Sequence, residues 1–353
     1  MIAARGMSAG LWMEPTRRLR EVERALLRFW GEGGYSEVVP PLLVPEAAAR
    51  RGSPEALDAR ILSIRSEGVG DLALRADFTS GVAWMVSRRV ERPEGPLRLC
   101  YSGPVVRRPL GEGSVGFEIL QAGCERVSGS PGPEGDGEVL VLAAESLLTL
   151  ELKAPVLELG HWRLVGPLLD AIPWPPEGRE ALVRALNRKS RKALAELEDR
   201  YGGAAETRML GRLLHAGHRP SDVEALRSDL SALGAWEVWE EMRERARELA
   251  TAAPELRLRL DPVDVRHWDY YTGLTFKAFC KGHPYALLSG GRYDGLYPSL
   301  GRPFGAVGFA LDVGGVCAVR EKAPPNRPAD WPAGTGEEPR PTAEWRGPCP
   351  GSR

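Results

Sequence analysis

At 353 residues, with 43% apolar and 27% charged side chains, the chain can bury a sizeable core and is long enough for about two domains. Its 47 basic and 48 acidic residues leave a formal net charge of -1, which lacks the basic excess expected of a dedicated nucleic-acid binder. The five cysteines (Cys100, Cys124, Cys280, Cys317 and Cys349) form no C-x-x-C pair, which argues against a disulfide framework or a structural metal site and for a reducing compartment. No apolar run reaches signal-peptide length or the roughly 18 residues of a membrane span, so a cytoplasmic protein is expected.

In chain order, 1–13 are expected to be a disordered start, with Met7 and Met13 leaving the initiating residue open. From Glu14 the residues Leu19, Val22, Leu26, Leu27 and Trp30 recur at helical spacing, and Gly31, Gly33 and Gly34 stop that helix. YSEVVPPLLVPE follows as an extended run, because its prolines forbid a helix interior. The stretches ILSIRSE and DLALRAD flank glycine and predict a hairpin over 61–74; a helix is expected over 78–90. Strands are expected at 97–101 and 118–127, then a turn at PGPEGDGE and a helix with an apolar body at 140–150. From about 167 to 254 the composition shifts to Ala, Leu, Glu and Arg without strand signals, which predicts a helical insertion broken at 173–176, at Gly202-Gly203 and at Pro220. Strands return at 256–260, 274–279 and 285–288, and 304–320 reads as a strand running into a helix. The tail at 321–353 is rich in Pro, Gly and charge; it is expected to be disordered, since it cannot bury enough apolar surface to offset its ordering entropy. The pattern predicts an α+β core at 14–320, an antiparallel sheet flanked by helices with the helical insertion on one side.

A free amino acid needs carboxylates and hydroxyls for its ammonium, and an arginine fork for its carboxylate. An imidazole side chain needs polar partners on both ring nitrogens. The chain offers Asp77, Thr79, Gln121, Glu125, Arg266, Tyr271 and Tyr293. Gln121, Gly123 and Glu125 alternate along one strand and share a face, with Gly123 leaving room. Singly each has a plainer reading. Glu125 alone is more often a solvated or salt-bridged carboxylate, DYYTG a strand end with packed aromatics, and GGRYDG a turn. His215 and His218, three apart on an expected helix, lack a third ligand and read as a surface pair. The run 184–191 (RALNRKSR) reads as a solvated basic helix face, and Cys100 and Cys124 as buried strand residues.

The ordered set is more specific than its parts. LRADFT (74–79), YSGPVVRR (101–108) continuing through GFEILQAGCE, RHWDYYTG (266–273) and SGGRYDGL (289–296) together resemble the class II histidyl-tRNA synthetase family over roughly 14–320. The resemblance implies a class II aminoacyl-tRNA synthetase-like antiparallel core. It also implies a histidine pocket: Asp77 and Thr79 on the ammonium, Gln121 and Glu125 as further contacts, Arg107 as the motif-two arginine, Arg266 on the carboxylate, Tyr271 near the imidazole and Tyr293 beside them. GYSEVVPPLL resembles motif one, which implies a homodimer.

Departures from the family point away from its chemistry. Adenylation needs arginines, acidic metal ligands and positioned donors around the phosphates. Here Pro109 replaces the motif-two acid, Val115 and Phe117 stand where the family carries base, and Gly314-Gly315 end motif three in place of glutamate and arginine. Only the low-complexity tail follows Arg320, where a synthetase carries an anticodon-reading domain of about a hundred residues. These losses resemble the family's non-catalytic branch, the regulatory subunits of ATP phosphoribosyltransferase. That resemblance implies no cofactor and no tRNA partner. It also implies assembly with a short-form catalytic subunit at the first step of histidine biosynthesis, activation of that subunit, and feedback by L-histidine bound either in this pocket or at the subunit interface. Two other readings stay open: a divergent synthetase keeping ATP contacts through Arg107 and Arg266, and a scaffold whose pocket is a relic.

Overall fold

The computed structural model describes residues 10–11, 13–51, 55–109, 117–265 and 270–320. The expectations for Arg266, for Val115, for the tail and for most of the 1–13 start fall outside these residues.

Helix α1 (Glu14–Glu32) forms where the apolar spacing requires it, with a proline in its first turn and Leu19, Val22, Leu26 and Trp30 buried. Trp30 donates from its indole to Ser146 Oγ at 2.8 Å, tying α1 to a helix far along the chain. Prolines then cut the chain into short pieces: β1 (Ser36–Glu37), β2 (Leu43–Pro45), α2 (Glu46–Arg51) and α3 (Glu55–Asp58). β3 (Ser63–Ser66) and β4 (Gly70–Leu74) are the expected hairpin and join β2 in a small antiparallel sheet of order β2-β4-β3. Helix α4 (Phe78–Arg89) starts where the Asp77 carboxylate accepts from Ser80 N at 2.9 Å.

β5 (Leu97–Val106) and β6 (Glu118–Ser128) form a long antiparallel pair, followed by α5 (Asp136–Thr149) and β7 (Val156–His161). Seven helices come next without a strand between them: α6 (Trp162–Ala171), α7 (Pro176–Asn187), α8 (Arg191–Tyr201), α9 (Ala205–Ala216), α10 (Pro220–Glu224), α11 (Arg227–Ala232) and α12 (Trp236–Ala252). The chain closes with β8 (Arg257–Leu260), β9 (Leu274–Phe279), β10 (Leu288–Arg292), α13 (Leu296–Ser299), β11 (Gly305–Asp312) and α14 (Val313–Arg320). The main sheet has the order β1-β5-β6-β11-β10-β9-β7-β8, antiparallel except for the parallel pairs β1–β5 and β7–β8. One apolar cluster runs from α1 and α5 through β7 and β9 into Leu182, Leu210, Leu230 and Trp239, so the helical stretch packs on the sheet and has no core of its own.

Three expectations are corrected. The strand placed at 285–288 lies at Leu288–Arg292 instead, with Tyr285 in a connecting loop at 53% exposure. Gly290 and Gly291 are therefore strand residues and not a turn. A Cβ on Gly290 would sit 2.5 Å from Gly308 O, and one on Gly291 would sit 2.8 Å from the Tyr271 ring. The basic residues of the run 184–191 are exposed as expected, but the run spans the end of α7, the turn after it and the start of α8, so it is not one helix face. There Lys189 takes φ 53° and sends its Nζ to both Asp261 oxygens at 2.6 Å, docking the helices on the core. His215 and His218 are both exposed, as the surface reading has it, but His218 lies beyond the end of α9 and approaches Leu260 O at 2.8 Å while His215 contacts Arg191, so they do not share a helix. Among the described residues no group of three or more His, Cys, Asp or Glu could hold a metal, and no helix is long and apolar enough to cross a membrane.

Candidate functional site

The face of the sheet at β6, β11 and β10 is roofed by α4 and by Tyr270 and Tyr271, leaving a cavity of about 320 Å³. Asp77, Thr79, Arg107, Gln121, Tyr271 and Tyr293 all line it. These residues span more than two hundred positions of sequence and meet because β6 lies one strand from β10 across β11.

Glu125, at 1% exposure, does not line the cavity itself but lies directly behind Thr79 and Tyr293, which do. Its Oε1 accepts from Thr79 Oγ1 at 2.9 Å and from Tyr101 OH at 3.0 Å, and its Oε2 accepts from Tyr293 OH. Burial pushes the carboxyl up to about 8, reinforced by the Asp77 charge and opposed by the Thr79 and Tyr101 hydroxyls. Burial thus biases Glu125 toward its protonated form at neutral pH. A cationic or proton-donating ligand would favour the carboxylate.

Gln121 Oε1 is buried and accepts no hydrogen bond among the described residues, so an ammonium or ring N–H reaching it would satisfy it. Asp77 spends one oxygen capping α4. Arg107 donates from Nε to Ala76 O at 2.6 Å, its guanidinium lining the cavity between the fields of Asp77 and Asp312. Burial lowers the Arg107 pKa, so an anion there gains from a partly desolvated cation. Overhead, Tyr270 stacks on Tyr293 with centroids 5.2 Å apart at 17°, and meets Tyr271 edge-on at 5.1 Å.

The role expected of Gly123 needs revision. A Cβ there would strike Phe309 O at 2.3 Å and Tyr101 OH at 2.7 Å, so its space admits the neighbouring strand and Tyr101, not a ligand. Tyr101 was missed by the sequence reading, although its cross-strand register with Gly123 pairs the largest side chain with the smallest. Tyr270, Arg60, Ser289 and Asp312 also line the cavity without having been singled out. Gly308 makes room for Glu125 itself, since a Cβ would lie 1.7 Å from Oε2 and 2.6 Å from Cys124 O. Gly308→Ala should thus displace the carboxylate and abolish ligand binding in a calorimetric titration, even in a variant that remains folded by circular dichroism.

At the open end, Asp312 accepts from Gly315 N at 3.0 Å, capping α14 where the glycines 314 and 315 stand. A Cβ on Gly315 would meet Leu287 Cδ2 at 2.8 Å, so the neighbouring core, not a side chain of its own, fills that position.

The largely antiparallel sheet flanked by helices is a class II aminoacyl-tRNA synthetase-like fold, and a model of the histidyl-tRNA synthetase family matches residues 11–316. An ATP phosphoribosyltransferase regulatory subunit of Anaeromyxobacter dehalogenans is 33% identical over 296 residues, 84% of each chain. One from Moorella thermoacetica is 32% identical over 310 residues, 87% of this chain and 79% of the relative. A Bacillus halodurans structure described as an ATP phosphoribosyltransferase regulatory subunit/histidyl-tRNA synthetase superposes with a TM-score of 0.76 at 25% identity, covering 89% of this chain and 82% of that one. The chain belongs to the histidyl-tRNA synthetase-like family of ATP phosphoribosyltransferase regulatory subunits.

Proposed function

We propose that this chain is a non-adenylating subunit that binds free L-histidine in the Glu125 pocket and modulates a short-form ATP phosphoribosyltransferase catalytic subunit at the first step of histidine biosynthesis. The observation that carries the reading is the pocket itself: Glu125 held by Thr79, Tyr101 and Tyr293, with the unmet Gln121 acceptor beside it. Donors on the ligand meet acceptors here, and Arg107 supplies the cation for a carboxylate. Arg266 would add a second cation by family resemblance.

Among the described residues, the motif-three end offers a phosphate less than the pocket offers an amino acid. Gly314 and Gly315 present no side chain, and Asp312 turns a negative charge toward the same mouth. A triphosphate would meet Arg60 and Arg107 but also that carboxylate, which disfavours in-line adenylate chemistry. Asp77, Thr79, Arg107, Gln121, Glu125, Tyr271 and Tyr293 are the proposed histidine contacts. A homodimer inside a hetero-oligomer is the expected assembly.

Regulation follows if histidine binds the two quaternary states of the complex unequally; the size of the effect equals that difference and is reciprocal. The deciding measurement is the rate of phosphoribosyl-ATP formation by a short-form catalytic subunit, with and without this chain, across a histidine titration. Activation that histidine then suppresses is the expected result. An unchanged rate at every histidine concentration would refute the proposal, and histidine-dependent ATP–pyrophosphate exchange would instead establish a synthetase.

A further inference from the structure

Tyr101 is the one Glu125 partner that does not line the cavity, and it points the other way into a second set of contacts. Its ring stacks on Phe78 with centroids 4.2 Å apart and planes within 6°. On the far side of Phe78 lies the Arg75 guanidinium, 3.8 Å from the ring centroid. Arg75, Phe78 and Tyr101 are 6%, 1% and 0% exposed. A Cβ at Gly103 would sit 3.2 Å from Phe78 Cζ and 3.3 Å from Arg75 Nη2, so the column is closed from the side as well.

The guanidinium ends on backbone and not on a carboxylate among the described residues: Nη1 donates to Pro40 O at 2.7 Å, and Nε and Nη2 to Pro104 O at 3.2 and 2.7 Å. The same stretch is tied twice more, by Arg75 N to Leu42 O at 2.8 Å and by Val38 N to Cys100 O at 2.9 Å, next to Tyr101. Between these anchors it exposes apolar side chains, Val39 at 87% and Leu42 and Leu43 at 44% each. Only β1 at its start and β2 at its end are paired in sheets, so the order of 38–42 between them depends on these anchors.

We propose that Arg75, Phe78 and Tyr101 are positioning residues that transmit occupancy of the Glu125 pocket to the exposed apolar segment carrying Val39, Leu42 and Leu43. A ligand donor at Glu125 sends the carboxyl proton to solvent and turns the acceptor of the Tyr101 hydroxyl into a carboxylate. A charge-assisted hydrogen bond is shorter and stronger, so the tyrosine ring is drawn toward the pocket. Phe78 and the Arg75 guanidinium over it are buried, and the guanidinium is pinned to Pro104 O and Pro40 O, so close packing passes that shift on to Pro40. The inference rests on the histidine-pocket reading and adds the route by which occupancy would reach the surface.

The test is hydrogen–deuterium exchange of the full chain with and without saturating L-histidine, alongside calorimetry to establish saturation. In the unmodified chain, histidine should slow exchange severalfold both in β10 and in the peptide spanning 36–45. Tyr101→Phe keeps the stack and removes only the hydroxyl; it should weaken histidine binding about tenfold or more, as expected for one lost hydrogen bond to a charged group. At saturation it should protect β10 but leave 36–45 unchanged. Phe78→Leu, which keeps an apolar filler and breaks the stack, should give the same split. Protection of 36–45 that persists in both variants, or β10 protection in the unmodified chain without any change at 36–45, overturns the proposed route while leaving the pocket intact. Absence of both heat and protection overturns the pocket reading and the route together.

Discussion

Glu125→Gln is expected to abolish histidine binding. The amide keeps the shape of the side chain but replaces one of the two oxygens that accept from Thr79, Tyr101 and Tyr293. It also removes the charge that a bound cation would meet. Hydrogen bonds to charged groups contribute roughly 1.5–3 kcal/mol each, so losing two amounts to a drop in affinity of at least about a hundredfold. Calorimetric titration with L-histidine would show it, and unchanged affinity would remove Glu125 from the site.

The unmodified chain should also reveal the acid through pH. With Glu125 at about 8 in the folded chain, binding of a donor below that pH releases a proton, so affinity should rise with pH and level off near 8. Titrations in buffers of different ionisation enthalpy would detect the released proton. The stability of the empty protein should run the opposite way. A carboxyl whose folded value is raised above its ordinary value holds its proton more tightly in the folded chain. Its contribution is therefore fully present below about 4.5 and is lost as pH rises through about 8. Glu125→Gln has no such titration, and its thermal midpoint should decline less steeply across that window.

Arg292→Met is expected to cost about 3–5 kcal/mol of stability, because it removes one partner from a buried ionic cluster. Arg292, at 6% exposure, donates from Nε to Asp136 Oδ1 at 3.1 Å and pairs with the second Asp136 oxygen through Nη2, which also reaches Glu241 Oε1 at 3.4 Å. Asp136 is fully buried at the start of α5, and Glu241 belongs to α12, so three elements converge on one guanidinium. Burial already pushes Asp136 up to about 6 despite the arginine. Without that cation the carboxyl must take up a proton or stay charged and unpaired, so the variant should be more stable at pH 5 than at pH 7.5. Adding Asp136→Asn should recover part of the loss, and urea denaturation of the singles and the double would measure the coupling. Full additivity would mean that the pair does not act as a unit. Because Tyr293 follows Arg292 in β10, histidine affinity should fall alongside stability.

Much of the frame was legible because it depends on local chemistry. The apolar spacing of Leu19, Val22, Leu26 and Trp30 with glycines behind it specifies a helix wherever it is placed. The alternation in 118–128 specifies a strand with Gln121, Gly123 and Glu125 on one face. The motifs also carried the candidate pocket residues, since their types match an amino acid's charges. The β10 expectation failed because two adjacent glycines carry the local signature of a turn. They are strand residues here because Phe276, Phe309 and Tyr271 leave no space for a side chain, a fact about neighbours and not about the segment. Lys189 misled for the same reason, as its partner Asp261 lies seventy-two positions away.

By itself, then, the sequence determined the order and type of most elements, the family to which the chain belongs, and the side chains proposed to hold histidine, because periodicity, turn chemistry and residue type are local properties. Only the tertiary structure decided that Glu125 is buried with its carboxyl pushed up, that Gly123 and Gly308 make room for Tyr101 and Glu125 rather than for a ligand, and that Tyr101, Phe78 and Arg75 pack in one column. Each of these depends on desolvation and close packing between strands remote in sequence, and those forces exist only once the sheet has assembled.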